Sequence, residues 1–197
     1  VNPVVISATR MEQPLSQVLS SVSVITRQEI DKAQATTLAD LLQGEAGFEF
    51  GRNGGPGTVT SFFLRGQNSA NVALMIDGVR VQADSIGSLT QTDLPLSQIE
   101  RIEILRGGAG ALYGDAAIGG VINVYTRKGK GQMTPYGSVS YGTYNTRDFS
   151  VGYGGEVDGK SLDLNAGATK SDGFSSMNKR QNTSTDPADN GYSKNNA

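Results

Sequence analysis

One segment of the sequence, Gly154–Ser161, matches a known chemical site, the phosphate-binding P-loop pattern GxxxxGK(S/T). In a nucleotide site, the backbone amides of this loop and of the helix that begins there hold the phosphates, and the lysine reaches them. The residues that follow, Leu162, Leu164 and Ala166, alternate with polar residues, which is strand periodicity. We therefore interpret the segment as a polar hairpin turn. A nucleotide-using enzyme is an alternative that depends on this match alone.

The composition excludes several classes of catalytic site. The 197 residues include no His and no Cys, so the chain cannot build a Cys/His zinc site, a thiol nucleophile or a Ser-His-Asp triad. Its 17 Lys and Arg residues nearly balance 19 Asp and Glu residues, and a net charge of -2 provides no field that would attract nucleic acid. We expect a protein that is not an enzyme and that has no nucleic-acid partner.

Three aspartates, Asp172, Asp186 and Asp189, could supply oxygen ligands to calcium. Their spacing does not match an EF-hand loop, and carboxylates in a polar loop are more often solvated charges. No metal and no cofactor are therefore expected, with calcium as the alternative.

Two arginines stand in the same local context. Arg65 and Arg106 each end an apolar strand, and each precedes a glycine. Such an arginine can be a buried ion-pair anchor that faces a partner surface, or it can be an ordinary strand-end charge. The residues alone slightly favour the second interpretation.

The elements that position these residues form two regions, and the first has the pattern of a small α+β domain. Ser21–Ile25 alternates like a half-buried strand, and Thr26 with Glu29 has the capping-box spacing that begins a short helix. Thr37 is a second helix N-cap, and Asp77-Gly78 between two apolar runs is a strong hairpin signal. Further strands are predicted over residues 62–64, 72–76, 79–81, 101–105 and 121–125.

From about Gln132 the pattern changes to long alternation. Val139 and Tyr141 alternate with serines, and Phe149–Tyr153 alternates apolar residues with Ser and Gly. Strands of about ten residues with one apolar face are typical of a membrane β-barrel. A soluble antiparallel meander with one solvated face is an equal alternative on alternation alone. The longest apolar run, Val72–Ile76, has five residues, against the roughly 20 that a membrane helix needs.

Several long motifs stand in order along the first region: Phe63–Gly66, Met75–Arg80, Ile104–Gly107 and Leu112–Val124. In their order and spacing they resemble the plug domain of TonB-dependent outer-membrane receptors, and the resemblance covers residues 3–127. Within this family the chain is most similar to the cobalamin receptors, on the segments Val4–Pro14, Val24–Asp31 and Asn53–Gly57.

The resemblance implies an α+β fold, in which a small mixed-sheet plug with short helices precedes antiparallel hairpin strands of a transmembrane β-barrel. Residues 1–12 would be the TonB-box segment, residues 13–127 the plug domain, and residues 132–197 the first barrel strands. A plugged barrel has about 22 strands, and the residues after Arg127 can supply about three or four of them. We therefore expect a fragment with a truncated barrel, located in the Gram-negative outer membrane with its plug facing the periplasm and its strands against lipid.

The resemblance also implies a protein partner, the periplasmic domain of TonB. An extended β-branched segment at a chain end can add as a strand to an exposed sheet edge, which is how this contact would form. The residues that would pair with TonB are Pro3, Val4, Val5, Ile6, Ser7 and Ala8.

A nutrient site is implied as well, on two apical loops of the plug. Its residues would be Arg52, Asn53, Gly54, Gly55, Gln82, Asp84 and Ser85. By the same resemblance Arg65 and Arg106 would anchor the plug by facing barrel carboxylates. Cobalamin is the preferred substrate, and a ferric siderophore is the alternative. From a different class, the alternative is a soluble secreted β-rich binding module.

Overall fold

The computed structural model describes residues 4–5, 13–14, 21–35, 37–52, 60–81, 94–107, 113–114, 117–129, 131–175 and 191–196. These residues belong to two compact units, the N-terminal unit up to Thr126 and the C-terminal unit from Arg127. The strands of the N-terminal unit are β1 (Val4–Val5), β2 (Gln13–Pro14), β3 (Ser21–Thr26), β4 (Phe48–Arg52), β5 (Thr60–Leu64), β6 (Gln67–Asn68), β7 (Val72–Ile76), β8 (Val79–Val81), β9 (Ile99–Arg106) and β10 (Gly120–Thr126).

Helix α1 (Arg27–Ala33) begins at the predicted capping box. The Thr26 hydroxyl accepts a hydrogen bond from the Glu29 amide, and the Glu29 carboxylate accepts one from the Thr26 amide at 2.7 Å. The backbone hydrogen bond, followed by that from the Thr26 hydroxyl, holds the pKa of Glu29 below its usual value of 4.5. The helix ends at Gln34, which has a left-handed backbone conformation with φ of 48°. Ile30 is its buried residue, and the Arg27 guanidinium attaches it further by donating to the Leu96 carbonyl at 2.6 Å and to the Ile99 carbonyl.

Helix α2 (Leu38–Leu42) begins at the second predicted N-cap. Thr37 and Asp40 form another reciprocal capping box, with the Asp40 carboxylate accepting from the Thr37 amide at 3.1 Å. All three leucines of this helix are buried. A helix of five residues is not stable by itself, so its burial against the sheet supplies its stability.

The central sheet of the N-terminal unit has the strand order β3-β9-β10-β7-β8. Neighbouring strands run antiparallel except β10 and β7, which are parallel and pair Gly120 with Val72. The face toward the helices carries the main core. Buried residues of this core include Ile25, Ile102, Ile104, Ile122, Val124 and Leu74. Each such side chain contributes about 1.5–3 kcal/mol to stability relative to an exposed one.

The opposite face of this sheet contains buried polar groups. Glu103 is fully buried, and its carboxylate accepts from the Arg101 guanidinium at 3.0 Å. That guanidinium also lies 4.1 Å from the centroid of the Tyr125 ring. Asn123, also buried, stands opposite Glu103 in the β9–β10 register. A buried carboxylate needs such partners because an uncompensated charge would cost several kcal/mol, on the order of 3–5.

The Asp77-Gly78 turn joins β7 and β8 as predicted. Both residues have positive φ, 48° and 84°, which is the backbone of a type I′ hairpin. The Asp77 carboxylate accepts from the Thr126 amide at 3.0 Å, and the Asp77 amide donates to the Val124 carbonyl at 2.9 Å. The turn therefore also fixes the last residues of the N-terminal unit.

A smaller sheet has the order β4-β5-β6. Sequence analysis does not predict β4, whose short apolar alternation is bounded by glycines. Phe48, Phe50 and Phe62 form an aromatic cluster across β4 and β5, with ring centroids 6.0–6.2 Å apart. This contact joins residues that are distant in sequence. It stabilises β4, whose own residue pattern predicts a strand only weakly.

The C-terminal unit contains the antiparallel strands β11 (Thr134–Gly142), β12 (Thr146–Val157), β13 (Lys160–Ser175) and β14 (Gly191–Asn196), which lie in that order. The P-loop match falls on the β12–β13 turn. Asp158 and Gly159 have positive φ, and a strand follows them instead of a helix, so the predicted hairpin turn is confirmed. In the part of the chain that the structure describes, no helix is long and apolar enough to cross a membrane.

The Gly120 position generates a testable prediction. A Cβ there would lie 2.4 Å from the Leu105 carbonyl oxygen and 2.7 Å from Leu64 Cδ2, so Gly120→Ala forces backbone to move. We expect a loss of about 1–3 kcal/mol in the free energy of unfolding, measured by urea titration with circular dichroism. Gly44→Ala is the matched control, because its Cβ meets only the Leu41 carbonyl at 3.8 Å. Equal stability of the two variants would contradict this account of strand packing.

Candidate functional site

The N-terminal ladder is the pairing of Val4–Val5 with Gln13–Pro14. It consists of two residue pairs, Val4 with Pro14 and Val5 with Gln13. In an antiparallel ladder hydrogen-bonded and non-hydrogen-bonded pairs alternate, so Pro14 occupies the pair in which its missing amide hydrogen is not needed, and Val5 with Gln13 is the hydrogen-bonded pair. Among the predicted TonB-binding residues, Val4 and Val5 are extended and paired here, while Pro3, Ile6, Ser7 and Ala8 lie outside the described residues.

The predicted substrate residues are mostly outside the described part of the chain. Arg52 ends strand β4. The other six lie in residues 53–59 and 82–93, which the structure does not describe: Asn53, Gly54, Gly55, Gln82, Asp84 and Ser85. The nutrient site therefore stays a prediction.

Arg106 is the last residue of β9 in the central sheet. Its guanidinium connects β9 with the neighbouring strand β3 and with the loop after helix α2. Nε donates to the Ala46 carbonyl at 2.9 Å, Nη1 to the Ser23 hydroxyl at 2.5 Å, and Nη2 to the Glu45 carboxylate at 3.1 Å. The side chain is 8% exposed. We name this set of contacts the Arg106 clasp, since it holds the loop after helix α2 against the sheet edge.

Arg65 is in a different environment. It occupies the tight turn between β5 and β6 with φ of 52°, and its amide donates to the Gly47 carbonyl at 2.8 Å. Its guanidinium is exposed, with one long hydrogen bond of 3.3 Å to the Ser21 hydroxyl. The structure thus brings both arginines to the first strand of the central sheet, β3, but only Arg106 is buried there. Whether either arginine faces a barrel carboxylate stays a prediction.

The sequence pattern does not indicate which groups contact Arg65 and Arg106. Glu45 is the one carboxylate in the Gly44–Gly47 turn, and Ser21 and Ser23 alternate with valines on β3. A signal for β3 did exist, because its alternation turns both serines to one face of the sheet. The pairing of Glu45 with Arg106 has no local signal, since 61 residues separate them.

In the C-terminal unit, the two faces of the sheet differ as the alternation predicts. The outer face, defined by its exposed large apolar residues, comprises Val139, Tyr141, Phe149, Val151, Tyr153, Leu162 and Leu164. The inner face carries small and polar residues joined across strands. Ser138 and Ser150 hydroxyls are 2.7 Å apart, Ser140 donates to Asp148 at 2.9 Å, and Tyr136 donates to Asp163 at 2.6 Å.

Glycines allow a close approach on this sheet. A Cβ at Gly152 would lie 2.2 Å from the Tyr136 ring. The same ring packs against Arg127, whose guanidinium carbon is 4.3 Å from its centroid. Tyr136 of β11 therefore holds Arg127, the first residue of the C-terminal unit.

No group of three or more His, Cys, Asp or Glu residues that could hold a metal ion occurs among the described residues. Asp172 accepts from the Asn145 amide at 3.0 Å, and Asp186 and Asp189 lie outside the described part of the chain. Calcium binding therefore stays an alternative prediction.

Comparison with known proteins identifies the N-terminal unit. The family described as TonB-dependent Receptor Plug Domain matches residues 14–121, more than half of the chain. The Vitamin B12 transporter BtuB of Vibrio cholerae is 38% identical over 151 residues, which cover 77% of this chain and 25% of that protein. The Vitamin B12 transporter BtuB of Vibrio vulnificus is 46% identical over 123 residues, covering 62% and 20%. The chain spans about a quarter or less of the length of these curated relatives.

Solved structures share the fold. The siderophore receptor PiuA from Acinetobacter baumannii superposes with a TM-score of 0.68 at 28% identity, covering 82% of this chain and 22% of that one. The pyoverdine receptor FpvA from Pseudomonas aeruginosa gives a TM-score of 0.76 at 20% identity, covering 88% and 25%, and supports the fold alone. The sheet order, the motif positions and these matches agree: the chain belongs to the TonB-dependent receptor plug domain family.

Proposed function

We propose that this chain is the gating plug and the first barrel strands of a transporter that takes up a scarce nutrient across the outer membrane. The observation that carries the proposal is the direct succession of two units. A domain of the plug family is followed at once by an antiparallel sheet with an exposed apolar outer face and a polar inner face. A membrane-spanning β-strand has this division, because one face contacts lipid and the other the barrel interior.

The N-terminal ladder supports a role for residues 3–8 in binding TonB. A segment that already pairs as a strand can exchange its partner for the edge of another sheet, with main-chain hydrogen bonds carrying the contact. Among the described residues the ladder has two residue pairs, of which Val5 with Gln13 is the hydrogen-bonded one, so few main-chain hydrogen bonds must be broken there before the exchange. The energy-transducing partner would then pull on this segment of the plug.

Cobalamin is the proposed substrate, and a ferric siderophore is the alternative. The named relatives with 38% and 46% identity are vitamin B12 transporters, which supports cobalamin. The named structural neighbours are siderophore receptors at lower identity, which keeps the alternative open. Binding titrations of the whole receptor with cobalamin and with a ferric siderophore decide between the two substrates.

The proposed plug anchors differ in how well their surroundings support the role. Arg65 has an exposed guanidinium with one long hydrogen bond, so it can reach a carboxylate on another surface. Three nitrogens of Arg106 already donate hydrogen bonds in the Arg106 clasp, and one of them forms an ion pair with Glu45. We therefore assign the anchoring role first to Arg65.

The TonB contact generates the first prediction of this proposal. Val5→Pro should abolish binding of the periplasmic TonB domain, because proline removes a ladder donor and restricts the backbone. The measurement is a calorimetric titration of the chain with that domain. Val5→Thr is the control, since threonine keeps the amide and the β-branch, and it should bind like the natural chain. Unchanged affinity of Val5→Pro for the TonB domain would refute the assignment of residues 3–8 as the TonB-binding segment.

The outer face generates the second prediction. Val151 is 46% exposed on the outer face, whereas its neighbour Ser150 points to the inner face and contacts Ser138. Val151→Lys should reduce recovery of the chain with phosphatidylcholine vesicles in a flotation assay, since a lysine facing lipid costs about 2–4 kcal/mol near the bilayer centre.

Ser150→Lys is the matched control, because it adds the same charge one residue away on the opposite face. We expect it to float with the vesicles nearly as well as the natural chain. Equal flotation of both variants would argue against lipid contact. A natural chain that stays monomeric without detergent and never floats would instead favour the soluble binding module.

A further inference from the structure

A row of three residues crosses the C-terminal sheet at one end of the outer face. The register places Tyr141 opposite Arg147, and Arg147 opposite Lys170. Directly opposite residues have Cβ atoms about 4.5–5.5 Å apart, so the two cations are neighbours on adjacent strands. All three side chains are exposed, and Tyr141 is 75% exposed.

The charges in this row are not balanced by ion pairs. Arg147 donates from Nε and Nη2 to the Asn145 side-chain oxygen, at 3.1 and 2.9 Å. The Asn145 amide in turn donates to the Asp172 carboxylate at 3.0 Å, so the nearby acid is bound to an amide and not to a cation. Lys170 forms no ion pair with any residue that the structure describes. Two cations and one carboxylate leave a net positive charge.

Like charges that face each other across strands are destabilising, so an anion bound between Arg147 and Lys170 would relieve their repulsion. Asp148, the other acid on this part of β12, lies on the inner face and accepts from Ser140. It therefore does not compensate the cations on the outer face.

The position of the row on the sheet indicates the class of anion. The next row toward the sheet centre, Val139, Phe149 and Ala168, is apolar, and it begins the exposed apolar part of the outer face. Tyr141 and Tyr144 are exposed at the level of the cations, as aromatic residues are at the edge of a membrane barrel. Beyond such an edge lie the lipid headgroups, whose negative groups are phosphates.

We propose that Arg147 and Lys170 form a binding site for the phosphate of an anionic lipid headgroup at the membrane surface farther from Arg127. The planar guanidinium matches two phosphate oxygens, and the ammonium adds a point charge beside it. The inference rests on the proposed function, because it requires the outer face to contact lipid. It adds a preferred lipid and two residues that select it.

The test uses the whole receptor that contains this chain, because an open sheet of four strands does not span a bilayer. The receptor is placed in nanodiscs that contain phosphatidylcholine and phosphatidylglycerol, and native mass spectrometry identifies the lipids that stay bound after release. We expect the natural receptor to retain phosphatidylglycerol in preference to phosphatidylcholine. The double variant Arg147→Gln/Lys170→Gln should lose this preference by about fivefold for each cation removed. Lys160→Gln is the matched control at the opposite end of β13, and it should keep the preference.

The outcomes separate this inference from the proposed function. A whole receptor that does not enter nanodiscs at all refutes the proposed membrane role. A receptor that enters them but retains both lipids equally, or whose preference survives the double variant, refutes only the headgroup site. A loss of preference in Lys160→Gln equal to that in the double variant also refutes it, because the effect would then follow net charge and not position.

Discussion

The burial of strand β9 between β3 and β10 is the constraint on which the N-terminal unit depends. Ile99, Ile102 and Ile104 are fully buried on this strand, and so is Glu103 on its other face. From Arg101 to Arg106 the strand is paired on both sides, so that the amides and carbonyls of this part are satisfied inside the sheet. Gly120 permits the close contact of β10 with the end of this strand, and the Arg106 clasp attaches the helical loop to the same end.

The N-terminal ladder is much shorter in the part of the chain that the structure describes. Its described residues form two pairs, against seven between β9 and β10. Local stability follows the number of buried contacts and hydrogen bonds, so the ladder should open at far lower free energy than the sheet. A plug that must respond to a partner at its N-terminus without losing its fold requires this separation of weak and strong pairing. On the proposed function, the ladder is the strand that exchanges its partner while the sheet stays folded.

Local chemistry allowed much of this fold to be predicted. The capping box at Thr26, the N-cap at Thr37 and the turns at Asp77 and Asp158 depend on residues within a few positions, and each is found where the sequence indicates it. The parallel contact of β10 with β7 and the ion pair of Glu45 with Arg106 could not be predicted this way, because they join residues far apart in sequence. Strand β4 was missed for the same reason: its stability comes from an aromatic cluster shared with β5.

The most direct test of this account is residue-resolved hydrogen exchange of the full chain, with and without saturating periplasmic TonB domain. The account predicts that exchange changes at the amides of Val4, Val5 and Gln13, where the ladder is exchanged for a new strand partner. It predicts unchanged protection of β9 and β10, because their pairing does not depend on the ladder. Unchanged exchange at Val4 and Val5 in the bound chain, or loss of protection across β9, would contradict it.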